Sequence, residues 1–273
     1  MRHRGETGLP ALHTDRKVCT AGGRYNPAIT MNQRNRSMFG TFLEYKDGNT
    51  TFEAYVALPA TEISLRPAVL VSHAWAGRSA FECEKADRLA ALGYVGVAID
   101  NYGKGVLGRD NAENSALMTP LVHDRGMLRS RLLAGLAAVK SIAMVDTTRI
   151  GAIGFCFGGM CVLDLARSGA DLRGVVSFHG LFAPANLPNA SIKAKVLALH
   201  GHDDPLVSPA AVLALQQELT DAGADWQLHA YGNTSHAFTN PAANDAANGM
   251  HYNTTATRRA WRSMEEFLAE VLA

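Results

Sequence analysis

An excess of charge of either sign is missing from this sequence. Lys and Arg number 26 against 25 Asp and Glu, so no net field draws nucleic acid or an anionic membrane surface. Charged residues make up only 19% and hydrophobic ones 47%, the balance of a globular chain with a core. No apolar run is long enough to span a bilayer. The N-terminus lacks the unbroken apolar stretch of a secretory signal, and the expected location is the cytoplasm. The four cysteines, Cys19, Cys83, Cys156 and Cys161, contain no C-x-x-C pair. A chain of this size needs no disulfide, so reduced thiols are expected. The ten histidines form no i, i+4 pair or comparable ligand spacing, and no metal or cofactor is expected. A Gly-x-Ser-x-Gly site is also missing, which removes the serine-type lipases and peptidases.

What is present has a clear order. Residues 1–36 carry Arg2, Arg4, Arg16, Lys17, Arg24, Arg34 and Arg36 against Glu6 and Asp15, without periodicity. They read as a disordered N-terminal extension, and an organelle leader would need an apolar helical face that is not there. Residues 37–273 read as one domain. Segments 41–45 and 51–58 flank Asp47-Gly48-Asn49, a hairpin signal. Ala68-Val69-Leu70-Val71 is a run suited to a strand covered on both faces. Ser79 to Glu82 is a capping box that opens a helix closed by Gly93. Strands follow at 94–99, 172–178, 195–199 and 226–231. Helical stripes lie at Leu128, Leu132, Leu136, Val139 and Ala143, after Ser208-Pro209, and at Ala260, Met264, Phe267, Leu268 and Val271. Alternating strands and helices predict the α/β class: a mostly parallel central sheet with helices on both faces.

The chemistry concentrates around Gly154-Phe155-Cys156-Phe157-Gly158-Gly159. An apolar strand precedes it and an apolar helix follows, the pattern of a nucleophile elbow with a thiol at its tip. Asp203 and Asp204 follow the next strand but one, and His236 follows the last strand, so nucleophile, carboxylate and histidine appear in the order of an α/β-hydrolase triad. A free thiol has a pKa of about 8.5 and needs activation. A helix N-terminus and His236 would supply it, with Asp204 holding the imidazole. Oxyanion donors are expected from the backbone N–H of Phe157 and from Trp75 in the loop His73-Ala74-Trp75-Ala76-Gly77. Cys161 reads as an apolar filler. His200 and His202 read as local hydrogen-bonding groups, His179 as a residue beside the site, and His73 as a support for the oxyanion loop.

These residues resemble the dienelactone hydrolase family, α/β-hydrolases with a Cys-Asp-His triad. The likeness covers about residues 40–273. It is carried by Gly-Phe-Cys-Phe-Gly-Gly at 154–159, Asp204-Pro205-Leu206-Val207, Ser235-His236-Ala237-Phe238-Thr239-Asn240-Pro241, Leu92-Gly93-Tyr94-Val95 and Asp100-Asn101-Tyr102-Gly103-Lys104-Gly105. It implies hydrolysis of a small ester or lactone through a thioester, without cofactor or metal, by a monomer or small homo-oligomer. Members often carry a glutamate after the oxyanion-loop histidine, paired with the resting thiol; this chain has Ala74 there, with Glu82 and Glu84 as candidate replacements. Family members that act on dienelactone grip its carboxylate with two arginines, where this chain has Lys104 and Asn240. One cation and one amide hold an anion less firmly than two bidentate forks. Substrate contacts are therefore expected from Lys104, Tyr102, Phe238 and Asn240. Trp75, Phe157 and Phe182 complete an apolar pocket. The alternative to catalysis is a redox-sensing thiol protein on the same fold, with Cys161 or Cys83 as the resolving partner.

Overall fold

The computed structural model describes residues 40–60, 64–187 and 190–273. The extension at 1–36, with Cys19, lies outside the described residues. The hairpin pairs β1 (Thr41–Asp47) with β2 (Thr50–Ala57), turning through Gly48 at φ 55°. Then come β3 (Arg66–Ser72), α1 (Ala80–Ala91), β4 (Val95–Ile99), α2 (Asn111–His123), α3 (Arg125–Lys140) and β5 (Val145–Phe155). The second half holds α4 (Phe157–Arg167), β6 (Gly174–Phe178), β7 (Lys195–Gly201), α5 (Pro209–Asp221), β8 (Trp226–Tyr231) and α6 (Thr254–Val271). A small excursion between β8 and α6 pairs β9 (Asn244–Asp245) with β10 (Met250–His251) around the short 3-10 turn Ala246–Asn248.

The main sheet has eight strands in the order β1-β2-β4-β3-β5-β6-β7-β8. The first two strands are antiparallel to each other and β2 is antiparallel to β4, while the remaining pairs are parallel. The central strands β4 and β6 are buried along their whole length, as strands must be when helices cover both faces. On one face α1 and α6 bury Ala86, Leu89, Ala260, Trp261, Met264 and Phe267. On the other, α3, α4 and α5 bury Leu128, Leu132, Met160, Leu163, Leu215 and Leu219. Arg125 of α3 forks onto Asp164 of α4 at 2.6 Å for both bonds, fixing the helix that starts at the elbow.

Helix α2 has no counterpart among the elements expected from the sequence. Leu121 is buried and Leu117, Met118 and Val122 pack beside it on the core. This stripe is short, shares its face with the buried Asn114, and is interrupted in the sequence by Pro120, which reads as a breaker. Asp110 caps its first turn and the apolar side chains on its inner face hold it to the core.

Strand order reverses where β3 and β5 meet, and ligands in such sheets gather beyond the carboxyl ends at that point. The elbow leaves β5 there and the 73–77 loop leaves β3 beside it. Their backbones touch: a Cβ on Gly158 would stand 2.1 Å from the carbonyl oxygen of Ser72. Gly158→Ala is expected to cost at least about 2 kcal/mol in chemical denaturation, because backbone must move to admit the methyl. Gly232→Ala, where an added Cβ meets nothing within 4 Å, is the control. A loss for Gly158→Ala no larger than the control's would show that the loop and helix are free to separate.

Candidate active site

The tip of the elbow is Cys156, held at φ 55° and ψ −116°. A non-glycine residue in that region stores strain of order 1–3 kcal/mol, and only over-determined surroundings keep it there. Here they are backbone against backbone. A Cβ on Gly154 would lie 2.0 Å from the Gly158 carbonyl, and one on Gly159 would lie 2.6 Å from Gly180 Cα. The Cys156 N–H is shared between Phe178 O at 3.0 Å and His179 Nδ1 at 3.2 Å. Helix α4 begins at Phe157, earlier than its apolar pattern indicates, so Cys156 is its N-cap and makes no side-chain cap bond. The thiol is half-buried and stands in the positive end of the helix dipole.

The structure puts Asp204, not Asp203, on His236. His236 Nδ1 lies 2.7 Å from Asp204 Oδ2, and both side chains are buried. The other Asp204 oxygen accepts from Leu206 N–H at 2.9 Å. Asp203 instead accepts from Thr234 N–H and ties the two loops together. The His236 backbone is gripped by the β9–β10 excursion, donating to Gly249 O and accepting from His251 N–H. That excursion spans too few residues to leave a periodic signal in the sequence.

Nε2 of His236 is buried and makes no hydrogen bond of normal geometry among the described residues. Burial pulls its pKa down, but the Cys156 sulfur within reach and the Asp204 carboxylate outweigh it and raise the value to about 10. An unfolded imidazole titrates near ~6.5. The stability contributed by this proton is thus fully present below about 6.5 and lost as pH rises through about 10. The melting temperature is expected to fall across that window, and His236→Asn should flatten the fall. An equal slope in the variant would place the titrating group elsewhere.

The loop after β3 is pinned at every peptide around Trp75. Ala74 N–H donates to Glu82 Oε1 at 3.2 Å. The Ala74 carbonyl accepts from His73 Nδ1 at 2.6 Å and from Gly77 N–H at 3.2 Å. The trans peptide then aims the Trp75 N–H the opposite way. Tyr102 OH donates to the Trp75 carbonyl at 2.8 Å. Glu82 also closes the capping box of α1 through Ser79, so its buried carboxylate serves the loop rather than the thiol. Phe157 is the first residue of α4, where a backbone N–H has no intrahelical acceptor. These are the two N–H groups expected of an oxyanion hole.

Other residues singled out in the sequence fall elsewhere. Phe238 does not line a pocket: it is fully buried, packed edge-on against His179 and Tyr231. It belongs to the core under α6, with Trp261, Met264 and Phe267. Lys104 turns to the antiparallel hairpin and pairs with Glu44 and Glu53. Glu53 also lines a cavity of about 300 Å³ with Phe42, Arg78, Val106 and Leu107, and neither Cys156 nor His236 reaches it. The Asn240 carboxamide oxygen accepts from Ala242 N–H. Tyr102 spends its hydroxyl on Trp75, and its ring packs on His73 and Phe157. Phe182 is buried against His200. Cys161 is fully buried, and burial drives its thiol well above the ordinary range. Among the described residues, no three His, Cys, Asp or Glu side chains are grouped to hold a metal ion. No described helix is long and apolar enough to cross a membrane.

Strand order and the place of the elbow at its switch point make this an α/β-hydrolase. The sequence pattern of the dienelactone hydrolase family matches residues 52–272. A Salmonella typhimurium protein provisionally named carboxymethylenebutenolidase is 26% identical over 229 residues, 80% of this chain and 82% of its own. Two solved structures are more alike. One, named m3DLH, is 37% identical with a TM-score of 0.82, over 87% of this chain and all of its own. The other is P91, a dienelactone hydrolase-like promiscuous phosphotriesterase from metagenomic libraries; it is 34% identical with a TM-score of 0.80, over 86% of this chain and 99% of its own. The chain belongs to the dienelactone hydrolase family and is a hydrolase of esters or lactones.

Proposed function

We propose that the protein cleaves small carboxylic esters or lactones through a thioester on Cys156. The observation that carries the reading is an imidazole with Nδ1 bound to Asp204 and Nε2 taken by no other described group, near enough to the elbow cysteine for its sulfur to help raise the ring's pKa. The thiolate attacks the carbonyl carbon, and the negative charge passes to the carbonyl oxygen, which the N–H groups of Phe157 and Trp75 would receive. As the carbon–oxygen bond breaks, His236 Nε2 gives its proton to the departing alkoxide. The acyl group is left on sulfur. Water then gives a proton to His236 as it attacks the thioester, and the acid leaves while the thiolate returns. In a lactone the alcohol stays tethered to the acid.

Nothing in this sequence of steps calls for a metal or cofactor, and a reduced, cytoplasmic thiol suits it. Tyr102 and Trp75 support an apolar rim next to the sulfur. Lys104 is a weak candidate for gripping an anionic group because two carboxylates already hold it. A redox role for Cys156 finds less support: Cys161 sits with Ser72 and Asn101 inside the core, and Cys83 lies buried on α1.

The direct test is mass spectrometry of peptides after brief exposure to p-nitrophenyl acetate. The expected result is an acetyl group on the Cys156 peptide that disappears as the ester is consumed. Turnover with no acyl-enzyme on Cys156, or with the label on Cys161, would overturn the thioester route.

A further inference from the structure

The structure assigns a positioning role to His179, whose single ring joins the backbone of the elbow to the loop of His236; this rests on Cys156 and His236 being nucleophile and base. His179 sits just after β6 with φ 37°, a positive angle that few residues other than glycine adopt. It is 2% exposed. Its backbone N–H donates to Leu199 O at 2.8 Å, which fixes where the ring starts.

The two ring nitrogens face different loops. Nδ1 lies 3.2 Å from the Cys156 N–H. A backbone N–H is only a donor, so Nδ1 must carry a lone pair and the ring proton must be on Nε2. Nε2 lies 2.8 Å from the Thr239 hydroxyl oxygen, which accepts that proton. Thr239 belongs to the same loop as His236. The ring also meets His236 edge-to-face at 5.2 Å and Phe238 at 5.2 Å. Burial and the neighbouring His236 charge both hold it in the neutral form this pattern needs. One ring therefore contacts the nucleophile's amide, the base's imidazole and the base's loop. A core filler would need none of those hydrogen bonds.

Side-chain geometry supplies the test. Asparagine places its oxygen near the site of Nδ1 and tolerates positive φ; glutamine places its amide nitrogen near the site of Nε2. His179→Asn keeps the acceptor for Cys156, His179→Gln keeps the donor for Thr239, and His179→Leu keeps neither. Each variant is assayed for kcat and KM on p-nitrophenyl acetate, for the rate at which iodoacetamide alkylates Cys156, and for thermal melting. His179→Leu and His179→Gln are expected to lower kcat about 100-fold with little change in KM, the scale of loss for a misplaced reacting group. Alkylation should slow with it, and His179→Asn should recover at least about tenfold of the loss in kcat. If His179→Leu does not fold, the Asn and Gln variants decide between them. Folded His179→Gln with wild-type kcat and alkylation, or His179→Asn no better than His179→Gln, would reduce the ring to packing. Wild-type protein that alkylates normally yet turns over no ester would instead remove the hydrolase reading and leave the alkylation comparison standing.

Discussion

Cys156→Ala is expected to lower kcat/KM on an activated ester by at least about 10⁴-fold, the scale on which loss of a covalent nucleophile acts in hydrolases with this division of labour. The methyl that remains cannot form the acyl-enzyme, while the helix dipole, the N–H donors and His236 stay in place. Folding should be little affected, because alanine occupies the half-buried position without meeting new atoms. Cys161→Ala is the control. Its sulfur is fully buried between Ser72 and Asn101, so its removal should reduce stability modestly and leave kcat within a few-fold of wild type. Equal activity in wild type and Cys156→Ala would end the thiolate mechanism. Loss of activity in Cys161→Ala at unchanged stability would mean that the second sulfur takes part.

Asp204→Asn should be nearly as severe, about 10⁴-fold in kcat, as when the triad aspartate is replaced in serine hydrolases. The amide keeps the shape but presents a donor or a neutral acceptor to His236 Nδ1, so the proton no longer sits on the correct nitrogen and the imidazolium loses its counter-charge. The carboxylate is fully buried against the ring at 2.7 Å, which leaves no water to take its place. Asp203→Asn separates this role from its neighbour's. Asp203 accepts a backbone N–H from Thr234 at 3.0 Å, and an amide oxygen can do the same, so the change in kcat should be small. Similar losses in both variants would assign the effect to loop geometry and not to the carboxylate on His236. The pH dependence of stability offers a second view of the same pair: Asp204→Asn removes one of the influences that raise the His236 pKa towards about 10 and should shorten the alkaline window over which melting temperature falls.

Several features could be read directly because they depend on local rules. Gly48 at the hairpin, Ser79 with Glu82 at α1, Ser208-Pro209 at α5 and the glycines around Cys156 each satisfy a backbone requirement within a few residues. The alternation of apolar strands with amphipathic helices is likewise a local pattern that dictates a parallel layered sheet. Helix α2 is hard to read because its stripe of Leu117, Met118, Leu121 and Val122 is only two turns long and Pro120 falls inside it. The clip of β9 and β10 around His236 escaped because two-residue strands carry no periodicity. The burial of Phe238 in the core is not legible in the sequence, because distance from His236 along a loop says nothing about which way a side chain turns.

By itself the sequence determined the layered α/β architecture, the elbow with sulfur at its tip and the order in which acid and imidazole follow it, since turn chemistry and strand-helix alternation act over short distances. Only the tertiary structure turned Asp203 to the Thr234 N–H, turned Glu82 to the Ala74 N–H, bound Lys104 to the hairpin carboxylates and brought His179 against both Cys156 and His236. Those outcomes join residues far apart in the chain. They follow from burial, which leaves each polar group only the partners that packing brings within hydrogen-bond distance.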